Sequence, residues 1–190
     1  MNTVVIGIGN AYRRDDGVGL TAAAAIRELA LPGVRVVTGI DDAVRLLEAW
    51  SGVALALLID AATTVQHRPG RIRRVTADDV DSAGVLSSHS LNIADAFALG
   101  QALDRVPDEL VLFTVEAADF GYGVGLTPTV AAAVPEVVDS IVAEIVCRSA
   151  QPSTGSVNDQ GRGDRARKSR TYGAQHQPGE SAAAVTADHD

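Results

Sequence analysis

The chain has 190 residues, with 16 Lys and Arg against 24 Asp and Glu and a formal net charge of -8, the length of one ordinary domain. Residues 1–150 hold 11 basic and 19 acidic side chains and residues 151–190 five of each, so the whole excess lies in the first part, where it repels phosphate backbones and anionic lipid. That argues against sequence-independent nucleic-acid binding and favours cations, metal ions or a basic protein segment as partners, while a single cysteine, Cys147, leaves no internal disulfide and no cysteine-cluster metal site.

The N-terminus, Met-Asn-Thr-Val-Val-Ile-Gly, has no basic leader and turns glycine-rich after one short apolar run, which is not the pattern of a signal peptide. Residues 3–8 read as a first strand, and 17–30, with five alanines and apolar Leu20, Ala23, Ala24 and Leu29, as a helix. A second strand follows at 34–38, then a helix capped by Asp41 or Asp42 and running to about Trp50. The continuous apolar run 53–59, closed by Asp60, is the pattern of a buried central strand. It is the longest apolar stretch and too short to span a bilayer, so a cytoplasmic protein with no membrane contact is expected.

Residues 63–75 hold a Pro69-Gly70 turn between β-compatible arms and read as a hairpin or an edge excursion. Ser90 opens a helix to about Leu103, and 109–115 is a further strand. Thr127-Pro128 is an N-cap with proline at the first helical position, opening a helix to about Arg148 that Pro135 is expected to interrupt or kink. Strands alternating with helices predict an α/β fold, a three-layer sandwich around a twisted, mostly parallel sheet of about five strands. From Gln151 to Asp190 there is no Leu, Ile, Phe, Met or Trp, and such a segment buries too little apolar surface to fold, so an α/β domain over 1–150 is expected to carry a disordered polar tail over 151–190. The basic run of that tail, 162–170, is read as solvated.

Chemistry concentrates where the first strand gives way to the first helix, in Gly7-Ile8-Gly9-Asn10-Ala11-Tyr12-Arg13-Arg14-Asp15-Asp16-Gly17-Val18-Gly19. A strand, Gly-x-Gly and a helix suggest a dinucleotide site. The fingerprint, however, wants a third glycine where this chain has Tyr12, and Asp15 and Asp16 would repel a pyrophosphate. Taken alone, each aspartate is as well read as a helix cap. Asp60 changes the balance, because in a parallel sheet the carboxyl ends of the strands share one edge, where ligands bind. Asp60 and Asp15 or Asp16 both reach that edge, and His89, in Ser87-Ser88-His89-Ser90, enters from it ahead of a helix. Two carboxylates and an imidazole make a borderline-hard site that suits zinc or nickel. His67, His176 and His189 are weaker candidates, and Ser87, Ser88 and Cys147 lack a triad context.

At these residues the chain resembles the nickel-iron hydrogenase maturation endopeptidases, over residues 3 to about 146. The resemblance rests on the opening motif just quoted, on Leu58-Ile59-Asp60-Ala61, on Ser88-His89 before Leu91, and on Phe120, Gly123, Leu126 and Thr127-Pro128. It implies a metal-dependent, aspartic-type or metal-assisted endopeptidase that removes the C-terminal extension of a hydrogenase large-subunit precursor. It also implies that Asp16, Asp60 and His89 are both the catalytic residues and the ligands of nickel. That nickel would come from the substrate and act as the recognition element, with zinc as a possible occupant in isolation. One stretch departs from the family pattern: Gly39 is followed by Ile40-Asp41-Asp42, where the family commonly carries Gly-Gly-Thr. The alternatives are a non-catalytic nickel-binding or docking module of hydrogenase maturation and, further off, a nucleotide-binding α/β protein.

Overall fold

The computed structural model describes residues 2–76 and 90–150. Five strands in the order β2-β1-β3-β5-β4 form one sheet: β1 (Thr3–Gly7), β2 (Val34–Thr38), β3 (Leu55–Ala62), β4 (Ile72–Thr76) and β5 (Glu109–Glu116). The pairs β1–β2, β1–β3 and β3–β5 are parallel, and β4 lies antiparallel on the outer side of β5. The helices are α1 (Val18–Glu28), α2 (Ala43–Trp50), α3 (Ser90–Ala102) and α4 (Pro128–Ala150), with a 3-10 turn at Arg14–Gly17 ahead of α1. None of the described helices is long and apolar enough to cross a membrane.

Alternation along each strand sorts side chains onto two faces. Leu55, Leu57, Ile59 and Ala61 of β3 join Val111, Phe113 and Val115 of β5 in a core closed by Val18, Ala22 and Ile26 of α1 and by Val130, Val137 and Ile141 of α4. On the other face Ala56, Leu58 and Leu110 meet Leu46, Leu47 and Trp50 of α2 and Ile93 and Ala96 of α3. Two helical layers therefore sandwich the sheet, as the alternation of sequence patterns predicts. Both central strands read as unbroken apolar runs because both of their faces are covered.

Two expectations are corrected, and a choice between two readings is decided. β3 does not close at Asp60 but continues to Ala62, because Asp60, Ala61 and Ala62 pair with Thr114, Val115 and Glu116. The arms around Pro69-Gly70 do not form a hairpin: β4 pairs with β5, and the Gly70 N–H donates to the Glu116 carbonyl at 2.7 Å, so the edge-excursion reading holds. Pro135 does not interrupt α4, which runs unbroken through it. Of the two candidate caps of α2, Asp42 is the N-cap and accepts from the Arg45 N–H at 2.8 Å. The proposed tail over 151–190 and His89 lie outside the described residues.

Candidate functional site

The carboxyl edge of the sheet is shaped by glycines. Gly9 adopts φ +135°, and a Cβ there would overlap the Asp16 carbonyl oxygen. A Cβ on Gly19 would overlap the carbonyl oxygens of Ile8 and Ile59. Gly9, one of the two glycines that suggested a dinucleotide site, thus serves another purpose: with Gly19 it lets the start of α1 sit directly on the ends of β1 and β3. The 3-10 turn carrying Asp15 and Asp16 packs against β3 as a result. Asn10 holds the turn from within, its carbonyl accepting from the Arg13 N–H at 3.0 Å and its Oδ1 from the Tyr12 N–H at 2.9 Å.

The structure separates the two adjacent aspartates, which residue pattern alone left as equivalents and only the resemblance told apart. Both are completely buried. Asp15 Oδ2 accepts from the N–H groups of Ala118 at 2.9 Å and Asp119 at 3.0 Å and from the Thr127 hydroxyl at 2.9 Å, and Oδ1 accepts from the Thr127 N–H at 2.6 Å. Four donors on one carboxylate make it a brace between the first turn and the segment leading into α4. Neither aspartate caps α1, whose N-cap is Gly17 with no side-chain cap bond. Asp16 has the Arg13 guanidinium 3.9 Å from its Oδ2. That guanidinium also lies 6.0 Å over the Phe120 ring.

Asp60 is likewise completely buried, with its Oδ1 accepting from the Ala61 N–H at 2.9 Å. It shares its side of β3 with Ala56 and Leu58, so it marks the point where the face covered by α2 and α3 turns from apolar to polar. Thr114 and Glu116 continue that polar end on β5. Helix α3, which covers this face through Ile93 and Ala96, begins at Ser90, the residue after His89. Asp16 and Asp60 therefore stand on neighbouring elements at one edge. Among the described residues no three His, Cys, Asp or Glu side chains gather as a metal site; the third member of the expected set, His89, falls outside them. Cys147 is exposed on α4, and His67 sits in the β3–β4 connection at φ 40°.

Sequence reasoning missed Glu116, which is 2 % exposed. Its Oε1 accepts from the Thr64 hydroxyl at 2.8 Å and the Arg68 N–H at 2.6 Å. Burial pushes its pKa up, but those two hydrogen bonds and the nearby charges of His67 and Arg73 outweigh burial and hold it below the ordinary 4.5. The signal was available: like Asp60, Glu116 is an acidic residue at the end of an apolar strand. A cavity of about 460 Å³ lies elsewhere, between α1 and β2, lined by Ile26, Arg27, Ala30, Leu31, Val34 and Val36. Its lining holds no acidic residue or histidine.

The family model of the hydrogenase maturation proteases, HycI, matches residues 25–144, well over half of the chain. This chain belongs to the hydrogenase maturation protease family. The match takes in Asp60 and His89; the turn with Asp16 precedes it. The hydrogenase 2 maturation protease of Escherichia coli K12 is 24% identical over 149 residues, which are 76% of this chain and 91% of that protein. Among solved structures, the hydrogenase maturating endopeptidase HybD from E. coli superposes with a TM-score of 0.71 at 22% identity, over 78% of this chain and 94% of that one. The [NiFe] hydrogenase maturation protease HybD from Thermococcus kodakarensis does so with a TM-score of 0.64 at 27% identity, over 77% and 99%. The layered sheet is thus the fold of hydrogenase maturation proteases, and the family is one of peptidases.

Proposed function

We propose that this protein is the endopeptidase that removes the C-terminal extension of a [NiFe] hydrogenase large-subunit precursor once nickel is in place. In this reading nickel is cargo presented by the precursor, and Asp16, Asp60 and His89 receive it. The observation that supports the reading best is the pair of buried carboxylates on neighbouring rigid elements of one sheet edge, in a chain that belongs to a maturation protease family. Two carboxylate oxygens and an imidazole suit nickel in kind, and they would also take zinc when no precursor is present. Burial favours such a site, because carboxylates held by strand and turn keep their geometry before the metal arrives.

Coordination would fix the precursor's C-terminal segment against the edge and hold one peptide bond in place, which converts a bimolecular encounter into an oriented one. Water adds to the carbonyl carbon, its proton passing to a site carboxylate, and the C–N bond breaks as the leaving amine takes a proton. Metal polarisation of the carbonyl would assist where the bond lies close enough.

The docking-module alternative leans on the unusual Ile40-Asp41-Asp42 stretch. Asp42 there caps α2, and Asp41 is 3.5 Å from Arg45 in an exposed ion pair. These local roles account for the two aspartates without a lost activity. The nucleotide alternative weakens for a similar reason, since Gly7 and Gly9 are required by backbone packing.

The deciding experiment mixes the full chain with nickel-loaded and nickel-free precursor and follows the mass of the large subunit. Only the loaded form should lose its extension, and Asp60→Asn or His89→Ala should abolish the loss while the thermal midpoint stays near that of the wild type. Equal cleavage of both forms would overturn recognition of nickel; binding of the loaded form without loss of mass would select the docking module.

A further inference from the structure

The two loops beside Asp16 turn two tyrosines and a valine outward, while Phe120 and Leu126 of the second loop pack against the core. Tyr12 is 72 % exposed, Tyr122 92 % and Val124 80 %. Their backbones are nonetheless fixed. The Gly123 N–H donates to the Tyr12 carbonyl at 2.9 Å, and the Arg14 N–H donates to the Gly123 carbonyl at 3.0 Å, so the segments pair around the bridge Arg13–Gly123. The Asp15 brace to Ala118, Asp119 and Thr127 locks the flanks, and Arg14 reaches Asp119 at 3.1 Å. A tyrosine buries ~150–250 Å² when covered, so the two rings together offer a partner on the order of 300 Å² of contact surface.

We propose that Tyr12, Tyr122 and Val124 form the rim on which the hydrogenase large-subunit precursor docks, gripping an apolar segment of that protein next to the extension to be removed. The proposal rests on the function argued above and adds the surface that recognises the partner. Continuity with the site argues for the occupant. Tyr12 stands four residues before Asp16 in the same hydrogen-bonded turn, and Gly123 ties the second loop to it, so the rim adjoins the turn to which the precursor would bring its cargo. A second copy of this chain seated here would cover the approach to Asp16 and oppose the activity. Rigid, exposed aromatic rings suit such a role, since tyrosine gives large contact area at small cost in side-chain entropy, and tyrosines are enriched among residues that dominate binding.

The test is the double variant Tyr12→Ser/Tyr122→Ser in the full chain, assayed on nickel-loaded precursor beside the wild type. Both rings are exposed and the bonds of these residues that hold the loops are backbone bonds, so the thermal midpoint should not move. KM for the precursor should rise ~10-fold or more with kcat within about twofold, the signature of lost docking rather than lost chemistry. An unchanged KM in a variant that folds overturns the rim while leaving the proposed function intact. A wild type that cleaves no loaded precursor overturns both. A wild-type dimer that the double substitution converts to monomer in sedimentation, with KM unchanged, assigns the face to self-association and overturns the proposal.

Discussion

Two buried carboxylates brace two loops over the same sheet edge, and they do it differently. Asp15 uses both oxygens to accept four hydrogen bonds from residues more than 100 positions away. Glu116 uses one oxygen, accepting from Thr64 and Arg68 in the β3–β4 connection, and its Oε2 has no hydrogen-bond partner among the described residues. The first brace fixes the turn that carries Asp16 and Tyr12; the second gathers a loop that carries His67. The contrast teaches that the edge has a stiff side and a softer one, and that stiffness lies where the proposed ligand stands.

Asp15→Ala should break the comparison most forcefully. Removing that carboxylate strands up to four donors in the interior, at ~1–3 kcal/mol for each that water cannot reach. A loss of about 4 kcal/mol is expected, lowering the thermal midpoint by about 10 °C. Processing should fall with it as the Asp16 turn loosens. Glu116→Ala strands two donors, and denaturant unfolding should report about 2 kcal/mol; a loss equal to that of Asp15→Ala would erase the distinction between the two sides.

Glu116 also gives the soft side a pH dependence. Its pKa is lowered in the fold, so its contribution is complete above the ordinary 4.5 and disappears as pH falls through the depressed value. Midpoints of wild type and Glu116→Gln measured from pH 7 to pH 3 should therefore converge on the acid side. Constant separation across that range would show that the carboxylate's charge is not what matters. The smallest effect is expected away from the edge, at Glu144. Its carboxylate is held low first by the Arg74 hydrogen bonds, with Arg148 adding to them. Arg74 is 39 % exposed, and solvent screens the pair, so calorimetry of Glu144→Gln should show a loss below about 1 kcal/mol.

Much of this arrangement was legible in the sequence, for definable reasons. Apolar runs marked β1 and β3, and the rule that parallel strands share a carboxyl edge placed Asp60 and an aspartate of the first turn together. Residue pattern alone left Asp15 and Asp16 equivalent, and only the resemblance chose Asp16; what could not be read was the set of groups that Asp15 holds. Asp15 and Asp16 are neighbours in sequence, and the groups that distinguish them, at 118, 119 and 127, approach only in the folded chain. The extension of β3 through Ala61 and Ala62 was hidden because alanine is a weak strand signal; pairing with β5 supplies what propensity lacks. The partner of β4 was hidden too, since a Pro-Gly turn marks a reversal of direction without saying beside which strand the chain comes to rest. At Pro135 local chemistry predicted an interruption or a kink, and burial of Val130, Val137 and Ile141 on both sides of it favours a helix that is not interrupted over the hydrogen bond that proline forgoes.

The outermost strands carry a consequence of another kind. β2 and β4 flank the sheet, each only five residues long, and the outer backbone groups of a flanking strand are a template on which any other extended chain could assemble. Arg35 of β2 donates to the Ala49 carbonyl of α2, and Arg74 of β4 to the Glu144 carboxylate of α4, so each margin is pinned to a covering helix. A margin that is short and held down at a side chain is a poor template for another extended chain, which keeps this sheet from recruiting copies of itself.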